Sequence, residues 1–250
     1  MKTLISLLML LPCSTMAATL IESMDMNGNM SQLYIEGNMA RMEMPNKQGY
    51  MVVDTSKRTM RAVIPEQKMV MDMSDMLGEN RGETSSGIDF KTSKKGSGPK
   101  IAGYSTEEYT LTANGKYCGS LFISAAAMRD ADIAGFADTM ISFSQGIRNR
   151  MAGLRGMMGQ KPRPCQEART ASAAEFKNKG FPMRIVSPNK RVINEVKSIN
   201  KNAKLPANAF SIPSDYAVTN PNQMMQDAIK QMPPGAMEMM RQRMQQMNPQ

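Results

Sequence analysis

Six short segments, residues 19–27, 31–36, 39–44, 49–54, 59–64 and 68–73, carry apolar or β-branched side chains at period two. Turn sequences divide them: Asn27-Gly28-Asn29, Glu36-Gly37-Asn38, Pro45-Asn46-Lys47 and Asp54-Thr55-Ser56. Strands joined so tightly pair with their sequence neighbours, so this stretch is expected to form an antiparallel meander.

The rest of the chain is read against that meander. The polar, Gly- and Lys-rich residues 78–100 read as a long mobile loop. Strands at 100–112 and 116–124 follow, joined through Ala113-Asn114-Gly115, where Asn-Gly is a strong hairpin signal. From Ala125 to about Met158 the period changes: Ile133, Phe136, Ala137, Met140, Ile141, Phe143, Ile147, Met151 and Leu154 recur at three-and-four spacing. One or two amphipathic helices are expected there, stopped by Lys161-Pro162-Arg163-Pro164. Strands return at 181–188 and 191–199 as a hairpin around Asn189, then at 210–218. A Met-rich tail, 221–250, is helical in pattern but broken at Pro233-Pro234-Gly235.

The N-terminus carries an address. Lys2 precedes an apolar run, Thr3 to Leu11, too short to span a bilayer, and Thr15-Met16-Ala17 places small residues where a signal peptidase reads. Residues 1–17 are therefore expected to be a signal peptide, leaving a unit of 18–220 and the tail, exported to the periplasm. Lipid anchoring at Cys13 is not expected, because Pro12 stands where lipoprotein processing wants a small residue.

Cysteine and histidine usage fits export. Without Cys13 only Cys118 and Cys165 remain, an even pair in a compartment that permits disulfides. Their bridge would close a loop of about 48 residues, contributing roughly 3–4 kcal/mol on the chain-entropy model. The chain has no His, which removes zinc-hydrolase sites, Ser-His-Asp triads and His general bases. No carboxylate, Tyr or Lys constellation replaces them, and the chain is read as not an enzyme.

Methionine is the compositional anomaly. Removing Met1, Met9 and Met16 from 29 leaves 26, in a chain with 5% aromatic residues and no Trp. Strand alternation puts Met24 with Met26, Met42 with Met44, and Met69 with Met71 and Met73 on single sheet faces. In the tail, Met237, Met240, Met244 and Met247 follow helical spacing. Flexible, polarizable Met suits a core or an adaptable apolar cavity, and the strand methionines are the candidate lining. The alternative is soft-metal binding: thioethers select Cu(I), with Met69, Met71, Met73 and the four tail methionines as ligands and copper as the cofactor. Reversible sulfoxide formation is a third use.

The net charge of +9 is unevenly placed. Residues 141–204 hold 14 Lys or Arg against Glu167, Glu175 and Glu195. A solvated cationic face is the simplest account, and contact with an anionic membrane surface is the sharper one. Nucleic acid is not an expected partner, since no stacking aromatics are interleaved with the basic residues.

Taken in order, YIEGNMARMEM, VVDTSKRTM, VIPEQKMVM, IAGYSTEEYTL and AFSIPSDY resemble a family of exported bacterial proteins described by a domain of unknown function. That family is similar to the periplasmic outer-membrane lipoprotein carrier. The resemblance covers roughly residues 19–220. It implies an α+β fold: an antiparallel, unclosed β-barrel-like sheet with helices packed against its concave face. The function it implies is a binding or carrier protein for an apolar ligand, a lipid or lipoprotein acyl chain. A copper-binding protein and a structural envelope protein are the other classes.

Overall fold

The computed structural model describes residues 17–44, 48–77, 88–157, 163–221, 224, 235 and 239, with side chains of 150–157 left out. The signal peptide and the tail methionines Met237, Met240, Met244 and Met247 lie outside the described residues.

All six segments of the meander are strands: β1 Ala18–Asp25, β2 Met30–Glu36, β3 Met39–Glu43, β4 Tyr50–Asp54, β5 Thr59–Ile64 and β6 Met69–Asp72. Next come β7 Phe90–Ser97, β8 Glu107–Ala113 and β9 Lys116–Ser124, then helices α1 Ala125–Asp130, α2 Ala134–Met157 and α3 Pro164–Phe176. β10 Phe181–Val186, β11 Val192–Ala203 and β12 Ala217–Thr219 complete the series. The strands form one sheet in the order β12-β6-β5-β4-β3-β2-β1-β11-β10-β9-β8-β7, open between β7 and β12. The β1–β11 pair joins the N-terminal meander to the second one.

Five expectations are corrected. The sheet is mixed rather than wholly antiparallel, because β12 runs parallel to β6. Between β11 and β12 the chain recrosses the meander: Arg41 Nη1 donates to Ala209 O at 2.9 Å and the Tyr50 hydroxyl to Ser211 O at 3.2 Å. It therefore arrives along β6 in the same direction. Second, Phe90–Ser97 is not loop but edge strand β7, and residues 78–87 lie outside the described residues. Its lysines suit an edge, where charge blocks further strand pairing, and so mimicked a loop composition.

Third, the strand expected from residue 100 starts only at Glu107. Ile101 and Tyr104 exchange backbone hydrogen bonds of 2.9 Å across Ala102-Gly103, both at positive φ, in a tight turn. Fourth, the proline run after α2 also begins a helix: Pro164 occupies the first turn of α3, where a missing N–H costs nothing. The 210–218 strand shrinks to β12, with Pro213 lacking a ladder donor.

Directly opposed residues share a face of a sheet. The registers Ile21–Leu33, Leu33–Met42, Met42–Met51, Met51–Ala62 and Ala62–Met71 thus define one face across β1 to β6. Through Ser23–Val196 and Ile185–Leu121 the same face continues across β11, β10 and β9. α1 and the start of α2 pack on it: Ala127, Ala131, Ile133 and Phe136 join Ile21, Leu33, Ile35, Val53 and Met60 in the main core. α3 packs beside them, with Phe176 against Tyr109, Leu121 and Ile123. No described helix is long and apolar enough to cross a membrane.

Candidate functional site: an apolar cavity under two helices

Two strands and the helices above them converge on a cavity of about 270 Å³. β9 and β10 supply its floor with Leu121, Ile123, Pro182 and Ile185. α2 supplies Phe136, Ala137, Met140, Ile141 and Ser144, one helical face at three-and-four spacing. α3 closes the other side with Arg169, Ser172, Ala173, Phe176 and, past its end, Lys177. α2 and α3 run antiparallel, since Lys177 after α3 pairs with Asp138 near the start of α2.

Local sequence explains why α3 stands where it does. Its first turn is bonded to β9 by the Cys118–Cys165 disulfide, with Cα atoms 5.1 Å apart. Cys118, Leu111, Ala113 and Ala168 bury that anchor in a small core of their own. At the other end Gly180 lies against the Ser124–Ala125 backbone, where a Cβ would come within 2.5 Å of Ser124 C. Phe176 meets the Tyr109 ring edge-on at 5.0 Å, an arrangement aromatic quadrupoles favour. Burial and the hydrogen bond to Glu107 raise the Tyr109 pKa, so the ring stays neutral.

Polar groups in the lining are few, and the buried one is satisfied. Ser172 Oγ donates to Arg169 O at 3.0 Å and Arg169 Nε to Cys165 O at 3.2 Å, so the hydroxyl is satisfied within the helix. Beyond Ser144 a second pocket of about 210 Å³ opens between the same helices, lined by Ser144, Ile147, Arg148, Gln166, Glu167 and Thr170. The apolar cavity and the polar pocket thus adjoin at a shared wall residue, Ser144.

None of the seven strand methionines singled out in the sequence lines this cavity; Met128 and Met140 do. Met42, Met71 and, by the same alternation, Met69 face the core side of the meander, with Met51 opposite Met42. Met73, just past β6, packs on the main core, and Met44 follows β3, its N–H donating to Gly49 O at 2.9 Å. Met24 faces the other way, beside Glu195 and Met30, and Met26 is 58% exposed beyond the end of β1. The cavity lining is hidden in the sequence because Lys161-Pro162-Arg163-Pro164 reads as a helix stop and gives no sign of α3, which leaves α2 without a visible partner. The three-and-four spacing of Phe136, Met140 and Ile141 was its visible signal.

Four residues of the basic segment form ion pairs: Lys177 with Asp138, Arg184 and Lys197 with Glu195, and Lys201 with Asp130. Burial raises the Glu195 pKa, but hydrogen bonds from Lys197 and Arg184 outweigh it and leave the carboxyl below its ordinary value. Among the described residues no group of three or more His, Cys, Asp or Glu could hold a metal.

Residues 16–216 match the family model of a domain of unknown function, DUF4412. The chain belongs to this family. The DUF4412 region takes in the whole cavity, both cysteines of the disulfide and the meander, and leaves out the Met-rich tail. No curated protein matches the chain. Among solved structures, the crystal structure of MucB is similar over 81% of this chain and 60% of its own, at 9% identity and a TM-score of 0.34.

Proposed function

We propose that this chain is an exported, periplasmic binding or carrier protein, without catalytic activity, that holds an apolar ligand such as an acyl chain. The observation that carries this reading is the cavity of about 270 Å³ between α2, α3 and the β9–β10 floor. Cavities that hold small ligands are mainly apolar with a few placed polar groups, as here. A disulfide inside the fold and a leader-like N-terminus support the compartment. Native mass spectrometry on protein purified from periplasm is expected to find an acyl-chain mass, released on denaturation. Ligand-free protein that also fails to take up an apolar fluorescent probe would overturn the reading.

A second reading rests on the meander. Met42 and Met51 are directly opposed, and Met71 follows them in the same cross-strand row with only Ala62 between. The opposed Met42 and Met51 offer two thioethers to one soft cation, Cu(I) above all, with Met71 two strands further along the same face. Replacing Met42, Met51 and Met71 by Leu conserves volume, so the fold is expected to survive at under about 1.5 kcal/mol per site. Competition against a Cu(I) chelator tests it: wild type and the triple variant behaving alike eliminates copper here.

A further inference from the structure

The apolar cavity and the polar pocket beyond it adjoin at Ser144, which stands in the wall of both, and they are the apolar and polar halves of a candidate site. Their chemistry is complementary end to end. The apolar half offers Leu121, Ile123, Met140, Phe176 and Ile185. The polar half is bordered by Arg148 of α2, while Arg169 of α3 lines the apolar half. Among the described residues the Nε of Arg148 is buried and has no hydrogen-bond partner. A buried donor of a charged group left unpaired is costly, so an acceptor is wanted at this point.

We propose, on the reading of the cavity as an acyl-chain site, that its ligand is a single-chain anionic amphiphile. Its tail fills the chamber between α2, α3 and the floor, and its carboxylate or phosphate head accepts hydrogen bonds from Arg148 and Arg169. Three features select this class. The α2 stretch from Phe136 to Ser144 spans about 12 Å at the helical rise, near the length of an extended decyl chain. The guanidinium is the side chain suited to carboxylate and phosphate, because its fork of donors matches their oxygens. The charge near the head favours an anion: Arg148 and Arg169 stand against Glu167, which is buried and has a partner of its own. Lys177, at the far end, is already paired with Asp138.

The test uses full-length, disulfide-intact protein and four probes: decanoate, decyl phosphate, 1-decanol and inorganic phosphate. Wild type is expected to bind decanoate and decyl phosphate at least about tenfold more tightly than 1-decanol, as hydrogen bonds to a charged group imply. Arg148→Met with Arg169→Met is expected to abolish that preference by weakening decanoate and decyl phosphate more than 1-decanol, and an unchanged thermal unfolding profile shows that the variant is folded. Equal binding of decanoate and 1-decanol to wild type overturns the proposal and keeps the apolar cavity. Inorganic phosphate displacing decyl phosphate at comparable concentration overturns it too, since the site would then take free anions. None of the decyl probes binding sinks the carrier reading, and this proposal with it.

Discussion

Cys165, in the first turn of α3, is bonded to Cys118 of β9, so one wall of the cavity is fastened covalently to its floor. Denatured, unreduced protein is expected to show no free thiol from this pair. Reduction is expected to lower unfolding free energy by roughly 3–4 kcal/mol and to weaken binding of an apolar probe. Denaturant titrations with and without reductant measure the first, and probe fluorescence the second. Unchanged stability on reduction would mean that the bridge constrains little.

Ala173 of α3 points into the cavity, with Phe176 and Ile185 also on its wall. Ala173→Phe is expected to fill the space, cutting apolar probe affinity at least about tenfold with stability changed by under about 1 kcal/mol. A site that is already packed would instead lose about 1–3 kcal/mol from overpacking. Thermal unfolding and probe titration together separate the two cases.

Gly146 of α2 approaches the turn after β6 so closely that a Cβ there would sit 1.9 Å from Met76 O. Helix propensity alone would make Gly146→Ala stabilising by about 1 kcal/mol. The contact predicts the opposite sign, a loss of about 1–3 kcal/mol as α2 is pushed off the sheet. A gain in melting temperature would show that α2 does not pass that close.

Asp54 and Asp72 are held below the ordinary carboxylate range. For Asp54 the main cause is the Ser56 hydroxyl, helped by the Lys57 N–H; for Asp72 burial opposes the shift, but Ser74 and Arg61 outweigh it. A lowered folded pKa means that the unfolded chain binds more protons, so this stability is present above roughly pH 4 and lost as pH falls through the folded values. Asp54→Asn and Asp72→Asn are expected to flatten that acid limb in urea titrations between pH 7 and pH 3. Curves parallel to wild type would remove these two groups from the account.

Local signals were legible where a local cause decides the structure. Asn114-Gly115 reads as a hairpin turn because both residues adopt positive φ, and they do so here, at 49° and 75°. The Met42, Met69, Met71 and Met73 stripes were legible as faces, because alternation is a property of the strand. Which side each stripe would take was not, since that depends on pairing between segments far apart in sequence, such as Met24 with Glu195. β7 was hidden by its lysines, and α3 by a proline that both ends and begins helices. The cavity followed α3 out of view.

The β1–β11 seam has a kinetic meaning. Ala18 is paired with Ala203, so the two meanders meet only through residues from opposite ends of the chain. A chain made from its N-terminus delivers β1 first and β11 only after all three helices. Until then β1 is an open edge, and this high contact order makes closing the seam the slow step of folding. β11 of another copy competes for such an edge only when protein concentration approaches the effective concentration of the tethered strand, and the product of that pairing is a domain-swapped dimer. Refolding at high concentration is expected to raise the dimer fraction on size-exclusion chromatography, and dilution to lower it.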